Sequence, residues 1–192
     1  MLTRADLWSL EQYAEQRGGF RASVLAHKKN RQVLLGDHIL LLFEDQLTIK
    51  YQIQEMLRIE KVFEAAGIQE ELDAYNPLIP DGDNWKCTML IQYNDVDERK
   101  KRLGELIGVE DQIWIQVGTA GRSSPMCDED MERTTADKTS AVHFMRFQLS
   151  PAQVAAAKAG AEIVIGVDHR AFPCAPQTLT ASVREALVAD LA

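Results

Sequence analysis

Four separate stretches of this chain alternate between apolar and mixed positions, and that alternation limits the fold more than any other feature. In Trp85 to Tyr93 the odd positions carry Trp85, Cys87, Met89, Ile91 and Tyr93, while Lys86, Thr88, Leu90 and Gln92 fill the even ones. Ile113, Ile115 and Val117 alternate with Gln112, Trp114 and Gln116, and the pattern returns in Ala141 to Leu149 and in Ile163 to Val167. Successive side chains of a strand point to opposite faces, so a period of two means one apolar face and one mixed face. Strands of a doubly wound parallel sheet are buried on both faces and read instead as continuous apolar runs. The expected fold is therefore α+β, an antiparallel or mixed sheet of four to six strands with one face covered by helices.

The helical signals lie around these strands. Thr3 can cap a short first turn with Asp6. A helix from Leu10 to Gln16 is expected to stop at Gly18-Gly19, and a second to run from Phe20 to Asn30. Gln32 to Glu44 reads as two short strands, or one bent strand, broken at Gly36-Asp37. Asp45 then opens a long central helix expected to end at Gly67, followed by a short helix over Gln69 to Ala74. Pro77, Pro80 and Asp81-Gly82 make Tyr75 to Asn84 a turn-rich loop. Further helices are expected over Asp95 to Leu106, Pro151 to Ala159 (capped by Ser150) and Thr180 to Leu191. The acidic stretch from Thr119 to Lys138 reads as a mobile loop. With 192 residues and no repeat or linker, one domain spanning 1–192 is expected.

Composition removes several classes of function. A formal charge of −8 is the wrong sign for non-specific nucleic-acid binding, which needs a basic surface. No apolar run approaches the ~20 residues of a membrane span, and Met1 to Leu10 is no signal peptide. Three cysteines, widely spaced and odd in number, make no disulfide framework or ordinary zinc site. A cytoplasmic protein with reduced thiols is the expectation.

The central helix carries the sharpest candidates. Ile49, Ile53, Met56 and Phe63 share one face with Glu60 among them, while Glu55 lies on the other flank beside Tyr51, Ile59 and Val62. A carboxylate in an apolar stripe must pair with a cation, bind a metal, or rise in pKa enough to donate a proton. The helix has no histidine, so it lacks the Glu-x-x-His motif of di-iron sites, and a structural role for Glu60 is the simpler reading. Lys28, Lys29 and Arg31, following His27, offer either an anion site or a solvated helix end. Asn76, Asp81, Asp83 and Asn84 bring oxygens to one loop without the spacing of a calcium-binding loop. Trp114, Phe144, Arg146, Gln92, Gln116 and Gln148 fall on mixed strand faces, which suits a small-ligand pocket, a helix-covered face or a homo-oligomer interface. His143 falls on an apolar face and reads as a satisfied core histidine. No nucleophile elbow, phosphate-binding loop or dinucleotide turn occurs. The candidate ligand-binding set is Glu55, Glu60, Asn76, Asp81, Trp114 and Arg146, with Lys28, Lys29 and Arg31 as the anion candidate and no cofactor or metal assigned.

The stretch from Ala26 to Trp85, together with KTSAVHFMRFQL (Lys138 to Leu149) and GVDH (Gly166 to His169), resembles an uncharacterised bacterial family known as a domain of unknown function. The likeness runs over nearly the whole chain. Members of that family are often encoded beside a rubrerythrin-like protein and an iron–sulfur oxidoreductase. The resemblance implies an accessory place in redox or peroxide-stress metabolism, with a redox protein as partner, and carries over no catalytic residues. Two functions follow: a non-catalytic interaction protein with no deep polar cleft, or a small-molecule-binding protein or enzyme. The second places its site between the central helix, the 76–84 loop and the mixed sheet face.

Overall fold

The alternating segments pair as their pattern requires, but into two sheets rather than one. The computed structural model describes residues 1–192. In chain order its main elements are α1 (Leu10–Lys28), β1 (Gln32–Leu35), β2 (Ile39–Phe43), α2 (Gln46–Glu60), α3 (Ala65–Tyr75), β3 (Asn84–Ile91) and α4 (Val96–Glu105). There follow β4 (Ile113–Val117), β5 (Arg122–Ser123), β6 (Met126–Cys127), β7 (Val142–Gln148), α5 (Pro151–Lys158), β8 (Ile163–Val167), β9 (Gln177–Thr178) and α6 (Ala181–Val188). The larger sheet has the order β1-β2-β3-β7-β6 and the smaller β5-β4-β8-β9, and every pairing is antiparallel.

The apolar faces of both sheets feed one core. Leu35, Leu41, Trp85, Met89 and Phe147 of the larger sheet join Ile115, Val117, Ile163 and Ile165 of the smaller, and α4, α5 and α6 close the core with Leu103, Ala157 and Leu187. Burying each large side chain is worth about 1.5–3 kcal/mol, so this core dominates the stability of the chain. Trp85 is fully buried, and its indole Nε1 donates to the carbonyl of Leu187 at 2.8 Å, tying α6 to the sheet. Gly36 turns the β1–β2 hairpin at φ +53°, where a Cβ would also meet the Phe172 ring at 3.0 Å.

A second, smaller core lies under α2 and α3, where Leu2, Ile49, Ile53, Leu57, Leu72 and Ile79 pack together. Here three helical expectations need correction. α1 runs unbroken through Gly18-Gly19, because Tyr13 and Val24 anchor it on both sides of the pair and outweigh the roughly 1 kcal/mol per glycine of lost propensity. α2 stops at Glu60, not Gly67: Lys61 takes the left-handed conformation (φ 56°, ψ 40°) and the Val62 amide closes onto the Leu57 carbonyl at 2.9 Å. Gly67 lies inside α3, where a Cβ would stand 2.7 Å from Val62 Cγ1, so the glycine admits Val62 rather than ending a helix. Gln54, on the helix side opposite the apolar stripe, is fully buried because α1 covers that flank. Its side chain spans the Trp8 backbone, accepting from the amide at 2.7 Å and donating to the carbonyl at 3.4 Å.

Candidate functional site

The outer face of β3 and β7 forms the floor of the main concavity. Lys86, Phe144, Arg146 and Gln148 are even-numbered residues on these strands, and pairing sets Lys86 opposite Arg146. Met56 of α2 and Glu71, Ala74 and Tyr75 of α3 form one wall. Pro77, Leu78, Asp81 and Asp83 form the next, and Glu129 and Asp130 close the far side. The cleft measures about 920 Å³, within the ~300–1,000 Å³ typical of small-molecule sites.

Both basic groups in the floor are held by the protein itself. Lys86 donates to the Ile79 carbonyl at 2.8 Å and to Asp81 Oδ2 at 2.7 Å. Burial acts to raise the Asp81 carboxyl, but hydrogen bonds from Lys86 and Asn84 hold it below its ordinary value. Arg146 grips Glu129 with two bonds, Nε to Oε2 at 2.8 Å and Nη2 to Oε1 at 2.6 Å, and these bonds hold Glu129 low. Such bidentate pairs fix geometry as well as charge.

The acidic stretch expected to be a mobile loop is instead a strap pinned to β7. Asp128 accepts from the Phe144 amide at 3.0 Å and from His143 Nδ1 at 2.6 Å. His143 is fully buried, with its Nε2 2.8 Å from Thr139 Oγ1. Thr139 in turn donates to Glu110 at 3.1 Å, and Thr134 bonds the same carboxylate. Arg133 pairs with Asp128 at 3.2 Å and Asp130 at 2.5 Å while its guanidinium sits 4.6 Å from the Phe144 ring centre. Successive residues of the strap are thus tied to the core, to the cleft floor and to Arg133.

Of the candidate ligand-binding set, Asp81 and Arg146 meet in this cleft, together with Asp83, Asn84, Phe144 and Gln148 from the same loop and mixed strand face, while Glu55, Glu60, Asn76 and Trp114 do not line it. Glu60 is an exposed residue at the end of α2, so its carboxylate needs no buried partner. Asn76 holds the N-terminal segment, accepting from the Leu2 amide at 2.8 Å and donating to the Leu2 carbonyl at 2.9 Å. Trp114 belongs to the other sheet, lying over Gly166 beneath the Arg122 guanidinium, which is 3.6 Å from its ring centre. The basic cluster diverges: Lys28 lies 5.9 Å from the Tyr51 ring centre, Lys29 is exposed, and Arg31 is buried against Asp190. These three cations therefore form no common anion site. No three His, Cys, Asp or Glu side chains converge to hold a metal ion, and no helix is long and apolar enough to cross a membrane.

A family model described as "Protein of unknown function (DUF3501)" matches residues 1–191. The chain belongs to this family. It is also similar to the crystal structure of a novel protein of unknown function from Burkholderia pseudomallei K96243, with 49% identity over 100% of this chain and 99% of that one and a TM-score of 0.95. No curated protein matches the chain.

Glu55 shows the difference between a buried carboxylate and a site. It faces α1, accepting from Tyr13 Oη at 2.7 Å and from Arg17 Nε and Nη2 at 2.7 and 2.9 Å. The Arg17 bond is the leading cause that lowers its pKa from 4.5 to about 2, against the opposing effect of burial. Stability from this depressed carboxylate is fully present above pH 4.5 and lost as pH falls through about 2. Glu55→Gln is expected to lower the unfolding free energy by about 1–2 kcal/mol at neutral pH. In urea titrations the deficit should vanish in strong acid; a deficit independent of pH would exclude the ionic account. The carboxylates buried most deeply, Glu44 and Glu110, lie at a strand end and in a short turn. No helical periodicity could have marked them. Thr48 and Thr88 satisfy Glu44 at 2.6 and 2.7 Å.

Proposed function

We propose that this DUF3501 chain is a small-molecule-binding protein whose site is the cleft between α3, the 76–84 segment and the outer face of β3–β7. The supporting observation is the cleft itself, in which apolar surface from Met56, Tyr75, Pro77, Leu78 and Phe144 stands beside charged walls and the fixed polar groups of the floor. A protein acting only through a flat contact surface has no need of such a concavity.

Within this proposal the chain works in the cytoplasm as an accessory to redox chemistry done by a rubrerythrin-like protein and an iron–sulfur oxidoreductase. Its own thiols are poorly suited to that chemistry. Burial pushes the Cys87 thiol well above its ordinary value, and burial also raises Cys174. Cys127 is raised by burial and then by Asp111, Asp128 and Glu110. A thiolate is the reactive form, so the role assigned is handling a ligand rather than thiol exchange.

Ala74 is exposed on α3 and lines the cleft, so Ala74→Trp should plug the site without disturbing either core. In a small-molecule screen followed by amide NMR shifts, responses should cluster on Lys86, Phe144, Arg146 and Gln148 and disappear in Ala74→Trp. Responses that map elsewhere, or survive the plug, would refute the proposal.

A further inference from the structure

We infer that the cleft takes an organic cation, an ammonium or guanidinium group carried on an apolar body. The inference rests on the reading of the cleft as a ligand site and adds the chemistry of the ligand.

The charge inventory of the walls decides the sign. Six carboxylates line the cleft (Glu71, Asp73, Asp81, Asp83, Glu129 and Asp130) against two cations, Lys86 and Arg146. Lys86 is neutralised by Asp81 and Arg146 by Glu129, while Asp130 is neutralised by Arg133 from outside the lining. Glu71, Asp73 and Asp83 remain with no cation within ion-pair distance. Asp73 accepts from Gln69 and Asp83 from Asn84, but Glu71 has no hydrogen-bond partner at all. Burial raises the Glu71 carboxyl and the charges of Glu60 and Glu70 raise it further, and a cation placed beside it would oppose both effects. An anionic ligand would have to displace Glu129 or Asp81 and still face the remaining carboxylates.

The other walls decide the class of cation. Three acidic or histidine ligands do not converge anywhere in the chain, so a bare divalent ion lacks a coordination shell. Met56, Tyr75, Pro77, Leu78 and Phe144 instead offer apolar surface beside the unpaired carboxylates. An apolar body with a cationic end matches both.

Isothermal titration with octanediamine, octanediol and octanedioate separates charge from shape, because the three share a chain length. The diamine is expected to bind at least about tenfold more tightly than the diol, with an advantage that shrinks at high salt, and the dioate to show no binding. In the Glu71→Gln/Asp83→Asn double variant the diamine's advantage should fall to about one. Neither carboxylate pairs with a cation, and a thermal melt matching the parent would show that the fold is kept. Equal binding of diol and diamine at the cleft would overturn the cationic assignment and leave the cleft as a ligand site. Diamine binding that survives Ala74→Trp would place the amine elsewhere and overturn the assignment too. Failure of all three probes, together with a screen silent at the cleft, would overturn the assignment and the proposed function together.

Discussion

Replacing Arg31 with methionine is expected to lower the unfolding free energy by about 3–5 kcal/mol, the range for breaking a buried ion pair from one side. Arg31 is only 2% exposed. Its Nε donates to the Phe43 carbonyl, Nη2 to the Glu44 carbonyl and Nη1 to the Ala186 carbonyl, each at 3.1 Å, and Nη2 also meets the Asp190 carboxylate. One side chain therefore joins the end of β2 to α6. Methionine fills much of the volume but leaves three carbonyls and a carboxylate without their donor. Burial already raises the Asp190 carboxyl, with Arg31 opposing that shift. Without Arg31 the carboxyl rises further, so the deficit should narrow as acid protonates Asp190. Adding Asp190→Asn should recover about 1–2 kcal/mol by removing the stranded charge. Lys29→Ala, at the exposed neighbour, should stay within about 0.5 kcal/mol. A loss below about 1 kcal/mol for Arg31→Met in urea titrations would mean that the guanidinium is solvated rather than structural.

Arg31 also shows what a sequence conceals. A run of cations after a helix looks the same whether its members converge on an anion or separate, as these do, into solvent, an aromatic face and the core. The strand pattern was legible because alternation is a local property: Trp85, Met89, Phe147 and Ile165 all point inward as their parity requires. Which strands share a sheet is not local. Phe144 and Arg146 therefore lie in the cleft while Trp114 lies on the other sheet, although all three have the same parity relative to their apolar neighbours. The central helix failed for a different reason. Its apolar period continues past residue 60, and its end is made by Lys61 in a left-handed conformation that side chains other than glycine and asparagine seldom adopt. Glu60, placed by extrapolation inside a stripe, is consequently exposed. Asp81 and Arg146 were findable from turn chemistry and strand parity; Lys86, Glu71 and the strap were not, since their significance depends on which other walls face them.

The strap leads to the second large effect: His143→Leu is expected to destabilise the fold by about 3–5 kcal/mol and to loosen residues 128–139 selectively. The imidazole bridges two nearly buried carboxylates, bonding Asp128 directly at 2.6 Å and reaching Glu110 through Thr139. Leucine strips Asp128 Oδ2 of its imidazole donor and Thr139 of its imidazole partner, and a carboxylate oxygen stranded in a dry site carries a desolvation penalty even though the Phe144 amide and Arg133 still hold the other oxygen. Asp128 also anchors the Phe144 amide, and the next two strap residues, Glu129 and Asp130, close one side of the cleft. A loosened strap should therefore leave the cleft floor intact while removing that wall. Hydrogen exchange should rise further across 128–139 than in β3 or β8, which register only the global loss, and octanediamine affinity should fall more than the change in global stability alone would produce. His143→Gln, which can still donate to one carboxylate, should lose less on both measures. Uniform acceleration of exchange across both sheets would instead make His143 an ordinary core residue, with no particular hold on the wall of the site.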